Sequence, residues 1–280
     1  MKTYHFILTR FNLYIWNRDK NGKEINREEW LERRMKLFET FCLPSVKRQQ
    51  SMAFTWIILV DAETPERYRK RILAYREECP QIAVIPVRRE GSKQFAKVFR
   101  EVTAKMLAEK GAKEGDTCLT TYLDNDDSLN SEYVATVQSM AGSLENDTPY
   151  FICFDYGLQH YTEHGVTTRI RYENNHFMTA VEKAGKMKTC FGFGSHFLLE
   201  KNAVAHVVHV TERERPMWIE VIHEENVDND VKMTPDTHHV SDEEEVKRIF
   251  GVDVKCRSMA SPAFLLRILK QIIRRAKGER

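Results

Sequence analysis

Apolar positions follow two rhythms along the first half of the chain. Residues 4–9, 54–60, 82–87 and 118–123 are short, nearly continuous apolar or β-branched runs, which predict strands buried on both faces. Between them the apolar positions recur three and four apart. Trp30, Leu31, Met35, Leu37, Phe38 and Phe41 predict a helix from Arg27 to about Cys42, stopped by Pro44. Thr64 as N-cap and Pro65 as first helical residue predict a helix to about Cys79. Phe95, Val98, Phe99, Val102 and Met106 predict another over residues 92–110, and a fourth runs over 131–144. Residues 17–26 are polar, include Gly22 and read as a loop. Strands alternating with helices predict an α/β fold: a Rossmann-like, mostly parallel central sheet with helices on both faces. In such sheets ligands bind at the carboxyl ends of the strands.

The second half has a different texture. Residues 150–161 and 166–172 read as a β-ribbon joined by Glu163, His164 and Gly165. Residues 189–195 set two glycines between aromatics, which suits either close backbone approach to a ligand or a bulged strand. His206 and His209, three apart, would share a helical face; two histidines alone are no metal site. Residues 218–227 mix an apolar run with His223 and carboxylates, and residues 228–245 are polar and predicted irregular. Residues 262–277 form a basic amphipathic helix. The chain divides into a half at 1–148, a second half of the same domain at 149–258, and the C-terminal helix at 259–280.

Composition removes several function classes. Lys plus Arg total 43 against 41 for Asp plus Glu, a net charge of +2 that gives no support for nucleic-acid binding. No apolar run suggests a signal peptide or a membrane span. The six cysteines are scattered without a Cys-x-x-Cys pair, as expected of reduced core thiols in a cytoplasmic protein.

The candidate chemistry concentrates after the run ending at Leu123. Asp124, Asp126 and Asp127 put three carboxylates within four residues. In a strand Asp124 and Asp126 would point to the same side, and charges that close require a cation or solvent. Hard oxygen ligands at a strand end suit Mg²⁺ or Mn²⁺, with a substrate diphosphate completing the shell. The alternative is a helix N-cap at Asp127 or Ser128 with no metal. The other strand ends supply Thr9 to Asn12, Asp61, and Arg88 with Arg89, a rim suited to a metal-chelated nucleotide. Each arginine alone reads as a solvated loop residue.

Taken together the chain resembles the rhamnosyltransferase branch of the nucleotide-sugar glycosyltransferases, whose GT-A fold is similar to family 2. The resemblance is carried by Leu8-Thr9-Arg10-Phe11-Asn12, by Leu43-Pro44-Ser45-Val46 with Gln49-Gln50, and by Phe54-Thr55-Trp56. It continues through Leu123-Asp124-Asn125-Asp126-Asp127-Ser128-Leu129 and Trp218 through His223 to Asn226-Val227. It implies inverting transfer from a nucleoside-diphosphate sugar, rhamnose among the sugars, to a glycan or lipid-linked acceptor, with Mn²⁺ or Mg²⁺. By position it puts Thr9, Arg10, Phe11, Asn12, Asp61, Arg88, Asp124 and Asn125 around the nucleotide sugar. Asp124, Asp126, Asp127 and His223 fall around the metal. Residues 1–148 would bind donor and 149–258 acceptor. Tyr122 departs from the pattern, since relatives often carry Arg before the residue matching Leu123. The acceptor hydroxyl needs a base within hydrogen-bond reach, and Glu220 and Glu224 are the candidates.

Two other classes compete. A metal-dependent phosphoesterase or nuclease would need ligands for two metals or a nucleophile, and no Thr stands two residues past the second Asp. An EF-hand fails because Leu129 stands where the loop needs Gly. A non-catalytic membrane-surface protein would rest on residues 262–277, which also allow peripheral contact of a transferase with the inner membrane face.

Overall fold

The computed structural model describes residues 1–15, 27–143, 148–201, 204–223 and 231–276. Strands β1 (Thr3–Arg10), β2 (Thr55–Asp61), β3 (Ile82–Val87) and β4 (Thr117–Tyr122) alternate with helices α1 (Arg27–Leu37), α2 (Leu43–Lys47), α3 (Glu66–Glu78), α4 (Arg89–Ser92) and α5 (Phe95–Glu109). After β4 follow the short β5 (Ser128–Leu129), α6 (Tyr133–Ser143) and β6 (Tyr150–Phe154). Next come β7 (Tyr156–Tyr161), β8 (Val166–Arg171), β9 (Thr179–Lys183), β10 (His206–Val210) and β11 (Trp218–Ile222). The chain closes with β12 (His238–His239), α7 (Glu243–Phe250) and α8 (Pro262–Ala276).

The larger sheet has the order β10-β6-β9-β4-β1-β2-β3. β1 runs parallel to β2 and to β4, with Leu8 opposite both Ile57 and Tyr122, and β2 runs parallel to β3. β9 is antiparallel to β4 and β6, and β10 is parallel to β6. Successive strand residues feed opposite faces, as a period of two requires. Ile7, Trp56, Ile58 and Leu119 join one cluster with Met35, Phe38, Ile72, Tyr133 and Val137 of the helices. Phe6, Leu8, Ile57, Leu59 and Cys118 join another with Phe99 and Leu107 of α5. This is the helix-covered, mostly parallel sheet expected of a GT-A-like chain. It aligns the carboxyl ends of β1 to β4 on one edge.

A second sheet, ordered β12-β8-β7-β11-β5, lies beside the first. The expected ribbon is present as the antiparallel β7–β8 pair. Trp218 of β11 couples the two sheets. Its indole stacks on Phe177 (4.8 Å, 7° between planes) and its Nε1 donates to Phe154 O of β6 at 2.8 Å. Gly157 of β7 makes room for it, because a Cβ there would meet the indole at 2.1 Å.

Several elements differ from expectation. Pro44 does not stop a helix: residues 38–42 widen into a π-turn in which Leu43 N–H reaches Phe38 O, and α2 starts with Pro44 in its first turn. The wider turn precedes the residue that has no N–H to give. Thr64 is no N-cap. Its hydroxyl donates to Asp61 O and accepts from Asn12 Nδ2 at 2.9 Å, and Pro65 takes the cap position. Residues 150–161 are not one strand: the chain changes sheets at Asp155, whose buried carboxylate is met by His209 (2.5 Å) and Arg171 (3.2 Å). His206 and His209 lie on strand β10, not on a helix, in keeping with the β-branched Val207, Val208 and Val210. Residues 190–193 and 196–198 are 3₁₀ turns rather than a bulged strand. Helix α7 was not expected; Asp242 caps it by accepting Glu245 N–H at 2.9 Å, and Gly251 ends it at φ 74°. The loop expected at 17–26 lies outside the described residues.

Two expected outcomes follow. Gly157→Ala forces the Trp218 ring out of place and costs about 1–3 kcal/mol, whereas Gly142→Ala in α6, with nothing near its Cβ position, is neutral or stabilising. Thermal melts of the two variants check the contrast. His5 is buried with Nε2 2.8 Å from Thr121 Oγ1, and burial pushes its imidazole from 6.5 down to about 3. The unfolded chain therefore takes the proton first as pH falls. Stability supplied by neutral His5 is full above pH 6.5 and drains toward pH 3, at about 1.4 kcal/mol per pH unit. The fall of Tm on acidification is expected to be shallower in His5→Gln than in wild type; equal slopes would reject this.

Candidate active site at the end of strand β4

The acidic stretch is a turn, not a continuation of the strand. β1 holds its start: Leu123 N–H donates to Leu8 O (3.2 Å) and Thr9 Oγ1 donates to Leu123 O (2.8 Å). The chain then bends, with Asp127 N–H directed at Asp124 O at 3.4 Å. Strand alternation therefore does not govern the carboxylates. Asp124 and Asp127 converge, while Asp126 turns to different partners.

Each carboxylate meets its own cation or imidazole. Asp124 accepts from Arg10 (3.2 Å) and from the Tyr122 hydroxyl (2.7 Å), and Arg10 also bonds to that hydroxyl. Asp126 is buried between Arg34 and His223, each at 2.7 Å from its Oδ2. Burial alone would raise its pKa, but Arg34 and His223 outweigh it and hold Asp126 below the usual carboxylate range. Asp127 accepts Val221 N–H (2.8 Å) and lies 2.8 Å from His176 Nε2. Burial, with Asp126 and Asp124 close by, pushes Asp127 up to about 7 against the hydrogen bond from His176. Burial would lower His176, yet Asp127 holds it above its ordinary value.

Asp124, Asp127 and His176 each direct one ligand atom to a common point, all within 4.8 Å of one another. Two carboxylate oxygens and one imidazole nitrogen suit Mn²⁺; Mg²⁺ prefers oxygen alone. The mutually repelling pair of half-buried Asp124 and buried Asp127 is also the kind of donor set a divalent cation relieves. The fit is therefore chemical as well as geometric. His196 adds a second imidazole 6.2 Å from His176, and burial pushes it down to about 4, so it is neutral at pH 7.

The other expected residues fall into distinct places. Thr9 is fully buried and also accepts from Trp56 Nε1 at 2.9 Å; Phe11 lies in the core. Asn12 accepts Asp61 N–H at 3.0 Å, so it ties the ends of β1 and β2 together. Asn125 donates to Phe11 O (2.6 Å) and accepts from Arg34 (3.2 Å). Arg88 is exposed; its neighbour Arg89 is the one near Asp61 (3.8 Å), and it pairs with Glu63 (2.7 Å). Glu220 is buried, held by Lys232 Nζ (2.7 Å to both oxygens) and Gln159 Nε2 (2.6 Å). Glu224 lies outside the described residues.

His176 and Arg34 were missed. His176 is set by a turn whose Asn175 donates to Phe154 O (2.9 Å) and Tyr172 O (2.7 Å) and accepts Phe177 N–H (3.0 Å). Its only signal was a polar Asn-Asn-His run before an apolar stretch. Arg34 had a better one: it stands between Leu31 and Phe38 at core-facing spacing, where a charge needs a partner. Arg10 answers the departure at Tyr122, since β1 brings a guanidinium to the position beside it.

The environments separate stability from ligand binding. Asp126→Ala strands Arg34 and is expected to cost about 3–5 kcal/mol. Asp124 is about one-third exposed, and Asp124→Ala is expected to cost about 1 kcal/mol or less while losing Mn²⁺ binding. Chemical denaturation together with Mn²⁺ titration followed by electron paramagnetic resonance checks both. Equal stability losses would reject the division.

The model of the family described as "Putative rhamnosyl transferase" matches residues 8–235. Among solved structures, a 4-diphosphocytidyl-2C-methyl-D-erythritol synthase shares 16% identity over 76% of this chain and 91% of its own, with a TM-score of 0.35. S. aureus TarS 1-349 shares 10% over 79% of this chain and 60% of its own, with a TM-score of 0.40. A longer S. aureus TarS structure shares 9% over 79% and 37%, with a TM-score of 0.41. The chain thus spans less than two thirds of either TarS chain. No curated protein matches it significantly. On the family match over most of its length, the chain belongs to the family described as "Putative rhamnosyl transferase", a family of glycosyltransferases.

Proposed function

We propose that the chain transfers a sugar, rhamnose being the family's suggestion, from a nucleoside-diphosphate donor to a hydroxyl of a glycan or lipid-linked acceptor, with inversion. The observation that carries this is the convergence of Asp124, Asp127 and His176 at the carboxyl end of β4, with Arg10 reaching the same place from β1. A divalent cation held there would offset charge on the leaving diphosphate. Arg10 supplies fixed positive charge beside it, and the Phe95, Tyr122 and Phe191 rings around its guanidinium (4.8, 5.3 and 5.7 Å) keep it aimed. Thr9, Asn12 and Asp61 act by fixing the strand ends that shape the nucleoside side, with Arg88 or Arg89 at its rim. Arg34 and His223 support the turn by holding Asp126 between them.

For the base, Glu220 is the candidate with a defined setting. Lys232 and Gln159 occupy its oxygens, and accepting a proton from the acceptor requires that the ammonium loosen its grip. Glu224 remains the second candidate.

Stabilisation of the protein by nucleoside diphosphates in a thermal-shift panel is expected only with Mn²⁺ present, by about 2.7 kcal/mol at a hundredfold excess over Kd. Stabilisation of equal size in chelator would overturn the metal reading. Glu220→Gln is expected to lower kcat by about a hundredfold or more with donor binding retained. Full turnover in both Glu220→Gln and Glu224→Gln would move the base elsewhere.

A further inference from the structure

Helix α8 has two apolar faces of different fates. Its inward side is covered: Phe264 packs with Tyr161, Val166, Ile222 and Val231, Ile268 packs against the same group, and Phe264 contacts the Tyr161 ring at 4.8 Å. Gln271, buried, fixes the helix by two hydrogen bonds to one residue, accepting Val231 N–H (3.1 Å) and donating to Val231 O (2.7 Å). The outward side carries Leu265, Leu266, Leu269, Ile272 and Ile273, which are 45–58% exposed. At 100° per residue these five span about 120° of arc, centred away from the domain. Lys270 and Arg274 border that arc on one side, and no Asp or Glu occurs between Pro262 and Ala276. Arg267, further round, is engaged with Glu163 at 3.2 Å.

We propose that this outward face of α8 docks the protein on an anionic lipid surface. A solvated helix face of such length does not normally carry five large apolar side chains. The bordering cations choose the occupant. Phosphate headgroups lie where Lys270 and Arg274 would meet them when the apolar arc enters the acyl boundary. A second copy packed antiparallel would instead bring the two basic flanks to the same edge, with no acidic residue on either helix to pair with them. Among the described residues no helix is long and apolar enough to cross a membrane, so the contact is peripheral. Docking sets the second sheet, which holds Glu220, directly behind α8 at the lipid surface, because Phe264 packs on Tyr161, Val166 and Ile222 of its strands. That last consequence rests on the sugar-transfer reading; the docking itself does not.

The test is co-sedimentation of the full chain with vesicles, comparing phosphatidylcholine alone with phosphatidylcholine mixed with phosphatidylglycerol. Wild type is expected to pellet with the mixed vesicles at low salt, and to be released at about 1 M salt, where the screening length is about 3 Å. The double variant Leu269→Glu with Ile272→Glu is expected to lose at least about tenfold in partitioning. Lys270→Gln is expected to lose roughly fivefold. Melting curves verify that each variant is folded; if the double variant is not, the single charge change decides. No pelleting of wild type, equal pelleting of wild type and variants, or indifference to lipid charge overturns the proposal. So does a wild-type dimer in sedimentation velocity that the double variant dissociates, which would assign the face to a second copy.

Discussion

Ionised carboxylates at Asp124, Asp126 and Asp127 repel one another in a turn where two of the three are buried, so the turn holds only if opposite charge reaches it from elsewhere. Arg10 and Arg34 do so from 114 and 92 residues away from their partners, and the imidazoles of His176 and His223 join them from 49 and 97 residues away. They come from β1, α1, the turn before β9 and the end of β11. The turn thus draws both sheets and a helix to one point, and it has no stable form outside the folded chain. The compensation is uneven. Asp126 is enclosed by Arg34 and His223, whereas Asp124 and Asp127 converge with His176.

Arg10 shows how the surroundings hold a charge in place without consuming it. Phe191, which lies against it, is stacked on Phe99 at 5.0 Å, and its turn is tied down where Glu182 accepts Lys188 and Thr189 N–H at 2.6 and 2.9 Å. Thr189 takes a positive φ of 69° there, a conformation that costs a β-branched residue energy and that the buried Glu182 contact offsets. The glycine-aromatic segment therefore serves the site through the wall it builds around a guanidinium.

Much of the sheet was legible because its strands are buried on both faces and written as unbroken apolar runs, and the acidic turn was legible because three carboxylates in four residues have few benign explanations. What was not legible depends on distance. Nothing local marks His176 as the partner of Asp127 or Arg34 as that of Asp126, since each meeting is made by the fold. Local periodicity also misled at residues 206–210, where a spacing of three between histidines suggested a helix, while parallel pairing with β6 imposed a strand. Helix α7 was overlooked because its polar face dominates its composition, although Asp242 and Gly251 were present as caps. Strand alternation failed at Asp124 and Asp126 for the simplest reason: the strand had already ended.

Trp218 is inserted between the sheets, bonded to Phe154 on one side and closed in by Gly157 on the other. Sliding one sheet over the other would break the indole hydrogen bond and open a void the size of an aromatic ring. The larger sheet also takes β6, β9 and β10 from the second half of the chain, so this junction lies between sheets rather than between halves.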